Sequence, residues 1–261
     1  MPEYLEFSFA EKLPGTVWRT LADPDEKRLF LEIRNSETKR VTFSALQLDT
    51  TQWIWKEKSL DESWWINLAA VSSNIALFTV YTDTHNPDKK SVLAFDVTSE
   101  KMIWWKNDFS IAFASKTSVT GVDLKFGHKE VSLDLFSGQE IVKERVVLPV
   151  QQNFQVIRPF HYQEGSAHFD TVKSFLERKC KISAVFSVEY CEHHALILIS
   201  VFTEPEDLAN YLIVFNSDGE MVMKETLGEH LKGIASDTFF IFSGYLIFVK
   251  NKCELVSYKL V

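Results

Sequence analysis

Phe95-Asp96-Val97-Thr98-Ser99-Glu100-Lys101-Met102-Ile103-Trp104-Trp105-Lys106-Asn107 is the stretch that decides the fold, because it recurs along the chain. The same order of residue types returns in Leu48-Asp49-Thr50-Thr51-Gln52-Trp53-Ile54-Trp55-Lys56-Glu57 and in Leu133-Asp134-Leu135-Phe136-Ser137-Gly138-Gln139-Glu140-Ile141-Val142-Lys143-Glu144. It returns again in Phe215-Asn216-Ser217-Asp218-Gly219-Glu220-Met221-Val222-Met223-Lys224-Glu225. Each unit runs from an apolar residue to Asp or Asn, through a polar turn, into apolar or aromatic residues, and ends on Lys. This is β-hairpin chemistry. Asp and Asn bond to the backbone two residues on, and Ser-Gly or Asp-Gly supplies left-handed geometry at the turn. The residues before each turn alternate as a strand does, with Val41, Phe43 and Ala45 before the first and Val92 and Phe95 before the second.

The unit-ending lysines Lys56, Lys106, Lys143 and Lys224 stand 50, 37 and 81 residues apart. The last interval is about twice a 40-residue repeat, so a degenerate unit is expected inside it. Another unit fits after Lys224, ending near Tyr258-Lys259. Intervals of this size hold four-stranded blades, and radial packing of blades is the propeller solution. The expectation is an all-β chain, a β-propeller of five or six blades forming a single domain over 1–261.

The irregular blade falls around 144–185. There Phe169, Val172, Phe175 and Leu176 have helical spacing and Ser166 is an N-cap, which predicts one short helix over 166–178. Such a helix is expected to replace a blade's outer strands. Leu5, Phe7 and Phe9 alternate with polar residues, as do Val256, Tyr258 and Leu260, so the two chain ends are expected to pair in one sheet.

Composition excludes some classes of function. The net charge of −8 and the absence of any basic run longer than Lys89-Lys90 argue against nucleic acid. The longest apolar stretch, Ala195 to Phe202, is far shorter than the roughly 20 residues of a membrane span. The N-terminus has neither a basic nor an apolar leader segment, and Cys180, Cys191 and Cys253 are sparse and odd in number. A reduced, cytoplasmic, monomeric protein is expected.

The order Asp49, Thr51, Trp55 and the order Asp96, Thr98, Trp104 resemble the pyrroloquinoline-quinone-type propeller repeat, in which Asp and a Thr-Gly turn lead to Trp. Here the turns read Thr-Thr, Thr-Ser and Phe-Ser, and no cofactor is expected. As a whole the chain resembles a family of uncharacterised proteins of roughly 260 residues from Bacteroidetes, close to its own 261. The stretches Leu231-Lys232-Gly233-Ile234, Asp237-Thr238-Phe239-Phe240 and Leu246-Ile247-Phe248-Val249-Lys250 carry that likeness. The resemblance implies a propeller and no established activity.

Chemistry-bearing motifs are few. Cys191-Glu192-His193-His194 is the densest set of metal-type ligands, but neighbours on a strand face opposite ways, so no metal site is expected. Cys180 and Cys191 lack a triad context and read as small buried hydrophobes. Asp23-Pro24-Asp25-Glu26 and Glu204-Pro205-Glu206-Asp207 read as solvated turns. Trp64-Trp65 stands out. One indole can lie in the core while the other is exposed, and an exposed Trp beside Arg34 or His85 would form a platform for a ligand or peptide; blade-to-blade packing of both indoles is the alternative, and the more expected of the two. Trp104-Trp105 is expected to divide the same way, with a core role for the pair's repeat-ending Trp. With no catalytic constellation, the chain reads as a non-enzymatic scaffold for a protein or small ligand. The rival is an enzyme of hydrolase or lyase type, built from carboxylates and histidines that meet at the propeller's central mouth.

Overall fold

The computed structural model describes residues 4–125, 128–142 and 156–261. The chain divides into two compact units, one of Met1–Leu13 with Phe154–Val261 and one of Pro14–Asn153. The first strand, β1 (Leu5–Lys12), belongs to the former.

The unit of Pro14–Asn153 holds three antiparallel up-and-down sheets. These are β2 (Thr16–Asp23), β3 (Arg28–Asn35), β4 (Arg40–Gln47) and β5 (Gln52–Lys58); β6 (Ile66–Ser72), β7 (Ile75–Tyr81), β8 (Lys90–Asp96) and β9 (Lys101–Lys106); and β10 (Phe109–Ala114), β11 (Ser118–Asp123), β12 (Lys129–Asp134) and β13 (Glu140–Ile141). Successive sheets bury their apolar faces against each other. Phe30, Phe43 and Trp55 of the first meet Phe78 and Phe95 of the second, with the Phe43 and Phe78 rings edge-on at 4.6 Å. Leu77, Ala94 and Trp104 meet Phe109, Val119 and Leu133 of the third.

The repeat has a structural purpose. Trp55 lies opposite Ala45 and Trp104 opposite Ala94, so each indole occupies the space a small partner leaves. Each also donates its N–H to the next sheet, Trp55 to the Val97 carbonyl at 2.9 Å and Trp104 to the Leu135 carbonyl at 2.8 Å. The register places Gln47, and not Asp49, level with Asp96: each ends the third strand of its sheet, two residues beyond the alanine that faces the Trp. Asp49 instead sits in the turn, 3.1 Å from Lys27 Nζ. Asp96 and Asp134 do close their turns; the Ser99 backbone N–H on Asp96, and the Ser137 hydroxyl and then its backbone N–H on Asp134, hold both carboxyls below the usual carboxylate range.

The other unit holds two sheets. One comprises β15 (Phe160–Gln163), β16 (Ser187–His193), β17 (Leu196–Thr203), β18 (Ala209–Asn216) and β19 (Met221–Gly228). The other runs in the order β1, β22 (Glu254–Leu260), β21 (Tyr245–Lys250), β20 (Phe239–Phe242), β14 (Val156–Ile157). The chain ends meet as expected: Leu5 pairs with Leu260 and Phe7 with Tyr258, across a bulge between Phe7 and Phe9.

The predicted helix is α1, Ala167–Cys180, capped by the Ser166 hydroxyl on Phe169 N–H and ended by Lys181 in left-handed conformation. Its Phe169, Val172 and Leu176 pack on Val188, Ile199, Val201 and Phe215. It does not replace outer strands. It is inserted between β15 and β16, and the sheet's remaining strands follow it intact. Between Lys143 and Lys224 the described residues therefore build one sheet plus the short β14, and not two blades; Lys143 itself lies outside the described residues. The fold is an all-β propeller type, with five blade-like sheets among the described residues, the lower of the two expected numbers.

Candidate functional site

In the unit of Pro14–Asn153 two indoles, Trp18 and Trp64, lie against the Arg34 guanidinium. Trp64 and Trp65 lie in a strap just before β6 that is tied down at several points. Glu62 accepts both their backbone N–H groups at 2.8 Å, the Ser63 carbonyl receives Val41 N–H, and the Trp65 carbonyl receives Tyr81 N–H. Trp64 is half-buried and Trp65 is 44% exposed. The two indoles do not both pack between sheets: Trp65 is exposed, and Trp64 covers a cation. The Arg34 guanidinium carbon is 5.0 Å from the Trp64 ring centroid and 5.8 Å from that of Trp18, and Lys39 Nζ is 5.1 Å from Trp64.

A carboxylate within an apolar strand holds this arrangement. Glu32 is fully buried between Leu31 and Ile33. It accepts from Arg34 Nε at 2.7 Å and from the Leu68 amide at 2.8 Å. Arg34 in turn donates to the carbonyls of Trp64 and Ile66 at 3.1 and 2.7 Å. With three of its N–H groups committed, Arg34 binds the first sheet to the second and fixes the indoles on its faces. Trp18, at 65% exposure, is the most open of these rings. It is the extra residue of the β2 bulge between Val17 and Arg19, and bulges re-aim side chains in this way. Sequence reasoning missed both Glu32 and Trp18, although a charge inside Leu29-Phe30-Leu31-Glu32-Ile33 is itself a signal. His85 lies in the turn between β7 and β8, its side chain 95% exposed, with Thr84 and Asp83 as its contacts.

The same unit contains a cavity of about 500 Å³ bounded by the edge strands β2, β6 and β10. Arg19, Asn67 and Ser110 stand at one level of these strands, opposite Glu32, Thr79 and Val122. Ala69, Ala70, Ala112 and Ala114 leave the space open further along. Among the described residues no carboxylate, imidazole or thiol lines it.

In the other unit, Glu189 is buried and receives the Asp237 and Thr238 amides and the Thr238 hydroxyl, with His161 Nδ1 at 3.9 Å. This carboxylate fastens β16 to the segment entering β20. His193 and His194 do come together, their ring centroids 4.1 Å apart, which corrects the expectation from strand alternation. The reason is local: His194 leaves the strand with φ of 53°, so its side chain swings onto its neighbour. Burial and the His194 charge push His193 below the ordinary histidine value. Among the described residues no group of three or more His, Cys, Asp or Glu is placed to hold a metal ion. The carboxylates of 23–26 also depart from a fully solvated turn: Asp23 is buried, its Oδ2 has no hydrogen-bond partner, and burial pushes its pKa up.

Among the described residues no helix is long and apolar enough to cross a membrane. No curated protein matches the sequence. Solved structures similar to the chain include BamB from Moraxella catarrhalis, at 12% identity, covering 95% of this chain and 77% of that one, with a TM-score of 0.32. The β-propeller domain of the Trilobed protease from Pyrococcus furiosus matches at 10% identity, covering 95% and 66%, with a TM-score of 0.34. A member of the duf4221 family from Bacteroides vulgatus matches at 9% identity, covering 98% and 97%, with a TM-score of 0.38. Residues 22–104, from the end of β2 to the bridging Trp104, match the family described as Domain of unknown function (DUF4905).

Proposed function

We propose that this chain is a non-enzymatic propeller scaffold that docks a protein partner on the face carrying Trp18, Trp64 and Trp65. The observation that carries the reading is the exposure of two indoles, 65% at Trp18 and 44% at Trp65, on a base immobilised by Arg34 and the buried Glu32. Trp is enriched at interface hot spots because it offers a large contact area at little entropic cost. Lys39 beside the Trp64 ring favours a partner segment that is apolar and acidic. Free Cys180, Cys191 and Cys253 support a reducing, cytoplasmic setting.

The test is quantitative affinity purification from the native cell at endogenous level, comparing the wild-type chain with a Trp18→Ala/Trp65→Ala variant. The double variant is expected to keep its melting temperature and to lose at least one partner that the wild-type chain retains. Identical partner sets from the two chains would overturn the proposal. The enzyme reading draws on His161 near Glu189 and the Thr238 and Ser200 hydroxyls. Against it, both Glu189 oxygens already accept hydrogen bonds, from the Asp237 and Thr238 amides and the Thr238 hydroxyl, and so fasten β16 to the segment entering β20.

A further inference from the structure

We propose that the cavity bounded by β2, β6 and β10 is a binding site for a small amphipathic anion, a carboxylate or phosphate carried on a compact apolar body. The first observation is charge. Arg19 and Lys90 both line the cavity, and among the described residues no acidic side chain does, in a chain whose net charge is −8. Glu32 lies opposite Arg19 in the ladder, but its two oxygens are bonded to Arg34 and to the Leu68 amide, so it does not neutralise Arg19.

The second observation is geometry. Arg19 Nη1 donates to the Leu68 carbonyl at 2.7 Å. That bond anchors one arm of the guanidinium and leaves the Nε–H and Nη2–H edge uncommitted. This edge is the fork that meets the two oxygens of a carboxylate or phosphate. Ser110, level with Arg19, adds a hydroxyl on the neighbouring edge strand.

The third observation is the change of character along the strands. Beyond the level of Arg19 the lining becomes Leu21, Val71 and Phe113, separated by alanines. A ligand with its anion at Arg19 and Lys90 therefore places an apolar body where water is poorly held. A cavity of about 500 Å³ lies within the range of ligand pockets, about 300–1,000 Å³. The residues lining the cavity do not include Trp18, Trp64, Trp65 or Arg34, so the two proposals are tested on different side chains.

The experiment is isothermal titration calorimetry on the full chain with benzoate and phenyl phosphate as the anionic probes and benzyl alcohol as the neutral one. Arg19→Gln, Lys90→Met and Ala112→Phe are the variants. At least one anion is expected to bind and benzyl alcohol to bind far more weakly. Which anion wins distinguishes a carboxylate ligand from a phosphate. Arg19→Gln should weaken binding by about tenfold or more, the usual effect of losing charged hydrogen bonds. Lys90→Met should weaken it as well. Ala112→Phe should block it with both charges in place, so the proposal stays testable if Arg19→Gln fails to fold. Equal binding of benzyl alcohol, no binding of either anion at millimolar concentration, or anion binding unchanged in the variants would overturn the assignment.

Discussion

Replacing Trp55 by Phe tests whether the repeat's tryptophan joins neighbouring sheets. The Trp55 ring is 3% exposed and packs edge-on against Phe30 and Phe95, with centroids 5.7 and 5.4 Å apart. Its N–H reaches the carbonyl of Val97, a fully buried residue. Phenylalanine keeps most of the ring contact but has no donor, so that carbonyl is left unpaired at a cost of about 1–3 kcal/mol. The smaller ring also leaves a cavity that neighbouring aromatics fill only partly, adding roughly 1–2 kcal/mol. A total near 3 kcal/mol lowers the melting temperature by about 6–12 °C for a chain of this size. Scanning calorimetry of Trp55→Phe beside Trp18→Phe is the assay, since Trp18 is mostly exposed and its loss is expected to be nearly silent. If the two units melt separately, the transition of the unit of Pro14–Asn153 is the one that moves. Equal shifts in the two variants, or a Trp55→Phe shift under about 2 °C, would refute the bridging role.

Two further outcomes follow from the same structure. Deleting residues 1–10 removes most of β1, uncovers the edge of β22 and takes Leu5 from the core cluster around Leu246 and Phe248, so thermal unfolding should move sharply downward; an unchanged melting temperature would show that the paired ends contribute nothing. Asp23→Asn should stabilise the protein near neutral pH by about 1–2 kcal/mol, because an ionised carboxyl is buried there with one oxygen unpaired. The sign follows from the raised pKa. The folded carboxyl holds its proton to higher pH than the unfolded one, so the penalty is fully present above the folded pKa and fades as pH falls through it. The gain from Asn should therefore shrink in acid, and a gain equal at all pH values would exclude ionisation as its source.

Much of the fold could be read before any coordinates, and the errors have physical causes. The turn chemistry at Asp96, Asp134 and Asn216 and the alternation at both chain ends report local hydrogen bonding and local burial, which a single stretch of sequence carries. The register at Asp49 was misread by two residues because Asp before a Thr pair looks like Asp96 before Thr98. Ladder position is decided by the Trp–Ala pairing, in which Trp55 and Trp104 each need a small residue across the strand. The helix was legible from spacing and cap, while its place in the sheet was not, since an insertion between strands leaves the same periodicity as a replacement of them.

The candidate sites were less legible because they join distant segments. Trp64 and Trp65 could be singled out as adjacent aromatics, and Arg34 as a cation to pair with them. That Arg34 is bound by Glu32, and that Trp18 closes its other face, depends on a strand 16 residues earlier bulging at one position. The cavity is harder still. Ala69, Ala70, Ala112 and Ala114 carry no chemistry where they stand, and Arg19 and Lys90 are ordinary surface cations in the sequence. They become a site only where β2, β6 and β10 face a common space, with the acid nearest Arg19 already bound elsewhere. A propeller that uses Glu32 and Glu189 to join its segments has two cations, Arg19 and Lys90, in a hollow with no carboxylate among its described lining residues. Such a hollow attracts and orients an anion through the two cations that line it, Arg19 and Lys90.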